Sequence, residues 1–278
     1  MLIFYTIADI RQYIKSLHNK KIGLVPTMGA LHEGHMSLIH HCKSVAEVVV
    51  CSIFVNPIQF NNLRDFEAYP YTPDSDVAKL REAGCDVLFA PSADEMYAIK
   101  PNLSINFGYH DTVMEGKHRP GHFSGVGIVV GKLLNIIKPN VACFGQKDYQ
   151  QTLIVRQLIH TLNFDTKLEI IPTLREPDGL AMSSRNVRIP QEYRRQACQL
   201  YKSLEWFAQN IYTYPLKDLK SRCSYMLVQH GFEPEYIEVT DYDTGILVEQ
   251  IVAPAPMVVC AAAIFHGVRL IDNVLINE

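Results

Sequence analysis

The chain has 278 residues, of which 48% are hydrophobic and 20% charged, with 26 Lys and Arg against 29 Asp and Glu for a formal net charge of -3. That length suits one large domain plus a smaller one, and neither a basic excess nor a run of like charge points to nucleic acid or to an interaction tail. Seven cysteines at 42, 51, 85, 143, 198, 223 and 260, an odd number at wide spacing with no Cys-x-x-Cys, argue against a disulfide framework or a thiolate zinc site and for reduced thiols in the cytoplasm.

The opening MLIFYTIADIRQ has no basic segment before its apolar stretch and does not read as a signal peptide. KIGLVPT is then a short apolar run ending at Pro26, and HMSLIHHCKSVA has helical spacing through Met36, Leu38, Ile39, Cys42 and Val45. VVVCSIFV reads as a buried strand ending at Asn56-Pro57. PDSDVAKLREAG starts a helix at Pro73 and is closed by Gly84, and CDVLFAP is a third strand. HFSGVGIVVGKLLNIIK is helical up to Lys138-Pro139-Asn140. VACFG, QKDYQQTLIVRQLIHTL and KLEIIPT continue as strand, helix and strand. This alternation predicts an α/β domain, a parallel sheet with helices on both faces, whose ligands bind at the carboxyl ends of the strands.

Near residue 174 the texture changes. REPDGLAMSSRN is polar and turn-rich, PQEYRRQACQLYKSLEWFAQNIY reads as one long helix, and DLKSRCSYMLVQHG is a second helix closed by Gly231. EYIEVTDY, MVVCAAAIF and VRLIDNVLI are strand-like, so a smaller α+β domain is expected over residues 175–278 after a first domain over 1–174. Residues 250–268 carry no charged side chain, yet Pro254 and Pro256 interrupt them, so they read as a loop entering a buried strand and not as a membrane span.

The strongest chemical signal is Pro26-Thr27-Met28-Gly29-Ala30-Leu31-His32-Glu33-Gly34-His35, which joins a strand to a helix. His32 and His35 share one face of a first helical turn, where unpaired N–H groups and the positive dipole end suit a nucleotide's phosphates. Two imidazole donors there can stabilise an α-phosphate under attack. HEGH is one residue short of the H-E-x-x-H zinc signature, GVGIVVGKL lacks the parts of a phosphate loop, and Pro120-Gly121 makes HRPGH with His118 and His122 a loop and not a metal site. Asn56, Gln59 and Phe60 leave a strand as FVNPIQF, with amides able to orient a carboxylate and hydroxyls without charge. Gly145, Gln146, Lys147 and Asp148 leave another strand, Lys147 as a point charge for phosphate, with Gln151 one helical turn further on. Met182, Ser183, Ser184, Arg185 and Asn186 offer two hydroxyls and a guanidinium to a polyphosphate.

Taken together, PTMGALHEGH, SIFVNPIQF, RPGHFSGV, CFGQKDYQQ, DGLAMSSRN and RLIDN resemble the pantothenate synthetase (pantoate–β-alanine ligase) family over nearly the whole chain. The H-x-G-H element alone is shared with a wider superfamily of nucleotidyltransferases and class I aminoacyl-tRNA synthetases. The resemblance implies a Rossmann-type N-terminal domain binding nucleotide and pantoate, and a C-terminal lid. It implies an ATP-dependent ligase condensing (R)-pantoate with β-alanine through a pantoyl-adenylate, releasing AMP and pyrophosphate in pantothenate and coenzyme A biosynthesis. It also implies Mg2+ and a homodimer formed by the N-terminal domains.

Carried over by motif, Met28, Gly29, Ala30, Leu31, His32, Glu33, Gly34 and His35 contact ATP, as do Gly145, Gln146, Lys147, Asp148, Leu174, Met182, Ser183, Ser184 and Arg185. His35, His32 and Lys147 are the catalytic candidates, with His35 the proton donor. Gln59 and Gln151 bind pantoate, and Gln59 also faces β-alanine. After Tyr69-Pro70 the family often has acids that could serve magnesium. Here Ser75 stands between Asp74 and Asp76, which leaves the metal to phosphates and water. Two rival readings remain, a nucleotidyltransferase acting on a phosphorylated acceptor and a nucleotide-binding protein without catalysis.

Overall fold

The protein, seen as a computed structural model, is described over residues 1–99, 101–251 and 254–276. Its chain folds into two compact units. The first takes Met1–Gly145 and Ile154–Pro172, and the second takes Gln146–Leu153 together with the chain from Thr173 onward.

In chain order the first unit runs β1 (Leu2–Phe4), α1 (Ile7–Ser16), β2 (Ile22–Thr27), α2 (Glu33–Val45) and β3 (Val48–Ile53). It continues through α3 (Leu63–Glu67), α4 (Pro73–Glu82), β4 (Val87–Phe89), α5 (Ala93–Met96), α6 (Met114–His118), α7 (His122–Ile137) and β5 (Val141–Gly145). Helix α8 (Tyr149–Thr161) begins in the second unit and ends in the first, which β6 (Lys167–Ile171) completes. The sheet order is β1-β4-β3-β2-β5-β6, every pair parallel.

The strands are apolar on both sides, and successive residues feed two different cores. Leu24, Val48, Val50, Phe89 and Phe144 pack with Ile10, Phe123, Leu134 and Ile154. Their neighbours Val25, Val49, Cys51, Leu88 and Cys143 pack with Ile39, Cys42 and Leu80. A parallel sheet needs this cover on both faces, which leaves its carboxyl edge as the open side. The strand order reverses between β2 and β5, the usual position for a ligand crevice in such sheets. The loops that follow these two strands carry the H-x-G-H segment and Gln146-Lys147-Asp148.

The second unit contains α9 (Gln199–Gln209), α10 (Leu216–Gln229) and the antiparallel sheet β7 (Phe232–Asp241), β8 (Met257–Phe265) and β9 (Val268–Ile276). Alternate residues of β8, from Met257 and Val259 to Ala261, Ala263 and Phe265, pack with Leu204, Phe207, Leu219, Cys223 and Leu227 of the two helices. Among the described residues no helix is long and apolar enough to cross a membrane. Met257–Phe265 is the buried strand expected after Pro254 and Pro256, while residues 252 and 253 of that stretch lie outside the described residues.

The structure departs from the sequence reading in several places. β1 and α1 have no counterpart in it, and neither do the short helices α3, α5 and α6. β1 is three residues at the sheet edge, and α1 is capped by the Thr6 side chain, which accepts from the Asp9 N–H. The long helix expected after Pro190 is continuous only from Gln199 to Gln209. Before it, Arg194 pairs with both Glu176 and Asp178, and the Tyr193 ring stacks on His266 at 3.5 Å. These tertiary contacts hold 191–198 in tighter turns than its helical pattern prefers.

Glycines of α7 show how closely that helix lies against the strand ends. A Cβ on Gly125 would stand 2.6 Å from the Gln59 Cα and the Ile58 carbonyl oxygen. On Gly131 it would meet nothing nearer than Leu158 Cδ2 at 3.9 Å. The same substitution should therefore have opposite signs in one helix. Gly125→Ala should lower the thermal midpoint by about 5 °C through overpacking. Gly131→Ala should stabilise by about 0.5–1 kcal/mol through helix propensity. Equal melting shifts for the two variants would contradict this packing.

Candidate active site

The β2–α2 loop turns through left-handed backbone at Gly29 (φ +81°) and Ala30 (φ 51°). A buried carboxylate holds that turn. Asp76, in the first turn of α4, accepts the Ala30 N–H at 2.9 Å and the Leu31 N–H at 2.8 Å, and Thr72 adds its hydroxyl at 3.1 Å. Asp76 is 1% exposed, so each oxygen is committed to the loop. The Leu31 side chain is core, and its backbone is engaged too, the N–H by Asp76 and the carbonyl by the Lys79 ammonium.

Helix α2 starts at Glu33, with His32 as its N-cap. The Gly34 N–H donates to His32 Nδ1 at 3.2 Å, and the His32 N–H donates to His35 Nδ1 at 3.3 Å. The two imidazoles thus do the work usually done by a Ser/Glu capping box. Their centroids lie 4.0 Å apart, so the expected shared face is present. An imidazole that accepts at Nδ1 carries its proton on Nε2, and both rings are therefore set as Nε2–H donors. Met28, His32, Gly34 and His35 are half-buried, whereas the Glu33 side chain is exposed.

Beyond β3, the amides of FVNPIQF are ordered one by one. Burial pushes the Tyr97 phenol well above its usual range, so it stays protonated and donates to Asn56 Oδ1 at 2.7 Å. That aims Asn56 Nδ2 at Gln59 Oε1 (3.0 Å) and at the Gly125 carbonyl (3.2 Å). Gln59 Nε2 is left directed at Met28 Sδ, 3.0 Å away. The Gln59 carbonyl faces His122 Nδ1 at 2.9 Å, while Arg119 reaches His122 Nε2 at 3.0 Å. A guanidinium only donates, so Nε2 accepts and Nδ1–H points at Gln59. Both His122 nitrogens are thereby engaged in orienting this amide. The sequence does not show these supporting roles: Tyr97 and Asp76 act on partners 41 to 46 residues away, and Arg119 acts through His122.

In the second unit, Gln146–Asp148 form a short 3-10 turn before α8. Lys147 Nζ lies 3.9 Å from Asp148 Oδ1, with Lys147 mostly covered and Asp148 about half exposed. Gln151 is half-buried on α8. The Leu174 carbonyl accepts the Met182 N–H at 3.1 Å, and Arg175 bridges to Ala181, so 174–182 is a tight hairpin. Ser183 caps the turn Ser184–Arg188 through the Arg185 N–H at 3.3 Å. Asn186 ties that turn down by donating to the Ala181 carbonyl at 3.1 Å. Ser183, Ser184, Arg185 and Met182 are half-buried, and Leu174 is 40% exposed. Within each unit, then, the motif residues gather: Met28, His32, His35 and Gln59 in the first, and Gln146–Asp148 and Leu174–Arg185 in the second.

Known proteins share this arrangement along the full chain. The family model for pantoate-beta-alanine ligase matches residues 2–275. A pantothenate synthetase from Cytophaga hutchinsonii is 44% identical, covering 99% of each chain, and one from Porphyromonas gingivalis is 40% identical with the same coverage. Among solved structures, pantothenate synthetase from Thermus thermophilus superposes with a TM-score of 0.92 at 37% identity, covering 100% of both chains. The pantoate-beta-alanine ligase from Francisella tularensis, complexed with beta-gamma ATP and beta-alanine, gives a TM-score of 0.84 at 38% identity, covering 99% of this chain and 97% of that one. On full-length sequence and structural agreement alike, this chain belongs to the pantoate-beta-alanine ligase family.

Proposed function

We propose that the protein condenses (R)-pantoate with β-alanine at the expense of ATP, through a pantoyl-adenylate, releasing pyrophosphate and AMP. The observation that carries this reading is the pair of Nε2–H imidazoles at the start of α2, next in the fold to the ordered Asn56–Gln59 amides. The beta-gamma ATP and beta-alanine bound by the Francisella tularensis relative support ATP and β-alanine as two of these substrates.

In the first step a pantoate carboxylate oxygen attacks the α-phosphorus, and the bond to the β,γ-pyrophosphate breaks. His32 and His35 would donate to phosphoryl oxygens as charge builds, and His35 would protonate the departing group. Lys147, Ser183, Ser184 and Arg185 would balance the polyphosphate charge. In the second step the β-alanine amine attacks the acyl carbon, and AMP leaves with the electrons of the acyl–oxygen bond. The anhydride is already reactive, so the protein's contribution is position and charge stabilisation.

ATP contacts fall on Met28–His35, Gly145–Asp148, the Leu174 backbone and Met182–Arg185. Gln59 and Gln151 would hold pantoate, with Gln59 also toward β-alanine. Residues 1–174 as the nucleotide- and pantoate-binding domain, 175–278 as a lid, the homodimer and a cytoplasmic location belong to the same proposal. So does Mg2+, which would offset phosphate charge. Asp76 spends both oxygens on the loop, so the ion fits a site made of phosphates and water better than a protein cage.

ATP–pyrophosphate exchange should require pantoate and proceed without β-alanine. Exchange that appears only with β-alanine would overturn the two-step order, and exchange indifferent to pantoate would favour a nucleotidyltransferase of another specificity. His35→Ala should lower turnover by ~10²-fold, as the loss of one preorganised donor does. The fold should survive, since the lost cap interaction costs about 1 kcal/mol. Near-parental turnover would make His35 a capping residue only. Alanine at Gln59 or Gln151 should raise the KM for pantoate far more than that for ATP; a defect mainly in ATP affinity would move that residue to the nucleotide.

A further inference from the structure

The carboxyl-terminal strand carries a motif, Arg269-Leu270-Ile271-Asp272-Asn273, that the proposed chemistry leaves without a task. Its last two side chains are nearly inaccessible, each 3% exposed. Neither is spent on the sheet. Asn273 Nδ2 donates to the carbonyl of Gln146 and to that of Lys147, both at 2.9 Å. Its Oδ1 accepts from Gln146 Nε2 at 3.2 Å. Both amide protons and the amide oxygen are therefore directed at one turn, the turn that bears Lys147.

Asp272 fastens the other half of this unit's motif set. Its two oxygens take the Arg175 guanidinium in a bidentate pair at 2.6 and 3.0 Å. Burial pushes the Asp272 carboxyl up while the Arg175 fork pulls it down. Arg175 also donates to the Asn273 carbonyl at 3.1 Å and to the Gly179 carbonyl at 3.1 Å, and its Cζ sits over the Tyr201 ring, 3.8 Å from the centroid. One strand thus grips both the Gln146–Lys147 backbone and the Leu174–Met182 hairpin.

We propose that Asn273 is a positioning residue for adenylation: its carboxamide fixes the Gln146–Lys147 backbone and so sets where the Lys147 ammonium meets the phosphates. This rests on the reading of Lys147 given above. A lysine side chain is long and flexible, and its charge is useful only if its base is anchored. Two donors to consecutive carbonyls do that without adding a competing charge. An aspartate of the same shape would turn an acceptor toward each carbonyl and repel both.

The experiment is pantoate-dependent ATP–pyrophosphate exchange on full-length variants, each checked for an intact melting transition. Asn273→Ala should lower the exchange rate by ~10-fold to ~10²-fold, the range for a misplaced reacting group, while the KM for β-alanine, read separately in the complete ligation reaction, changes little. The series should rank Asn above Ser, Ser above Ala and Ala above Asp. Asn273→Ser keeps one donor and stands in should the alanine variant not fold. The decisive variant is the pair Asn273→Ala with Lys147→Ala, which should exchange no more slowly than Lys147→Ala alone, because the first residue acts through the second. Losses that multiply in the double variant, or a normal rate for both Asn273→Ala and Asn273→Asp, would overturn the inference while leaving Lys147 in its role. Parental exchange in Lys147→Ala would instead remove the reading of Lys147, and this inference with it.

Discussion

A parallel sheet whose strands are apolar on both sides must be covered on both sides, and most of the first unit follows from that requirement. Leu24 and Val25, or Val49 and Val50, point into different cores, so helices have to lie on each face. Every strand then ends at the same edge, and only loops remain there to meet a ligand. The reversal of strand order between β2 and β5 determines which loops those are. The chemistry proposed for the first unit falls in the connection after β2, because the rest of the sheet is occupied with burial.

Loops at that edge need their own support, and they draw it from elsewhere in the sequence. Asp76 supplies a carboxylate to two N–H groups of a left-handed turn 45 and 46 residues earlier. Tyr97 and His122 order the Asn56–Gln59 amides. Gly125 is a glycine because α7 passes too near the Gln59 backbone for a Cβ. The groups proposed to touch substrates therefore sit on an inner tier of buried polar groups, each with its hydrogen bonds met by protein. Buried polar groups with every partner in place give a rigid frame, and a missing partner is costly.

Much of the fold can be read from sequence because burial leaves a periodic trace. The runs VVVCSIFV and VACFG, the Pro73 start and the Gly84 stop appear as β3, β5 and α4. β1 leaves no such trace because three residues are too few to display a period. Residues 191–198 carry a helical pattern that local sequence cannot weigh against Arg194 reaching back to Glu176 and Asp178. The histidine pair is legible through its spacing and its glycines. That its rings cap α2 through Nδ1 is not, since that depends on atom-level geometry. Asp76 draws attention in the sequence only as part of an acidic run suited to a metal, whereas its oxygens serve backbone N–H groups. Long-range hydrogen bonds leave no periodic signature, and this is why the supporting residues are the ones the sequence conceals.

The segment Gln146–Leu153 belongs to the second unit although first-unit sequence stands on both sides of it. Order of synthesis gives this arrangement a temporal side. Chains emerge from the ribosome amino end first, at ~5–20 residues per second. Asn273 lies 126 residues beyond Lys147, so the turn bearing that lysine spends on the order of ten seconds outside the ribosome before its anchor exists. The first unit's strands can pair in that interval, while this turn stays untied. A nascent chain would thus acquire its sheet well before the backbone under Lys147 is fixed.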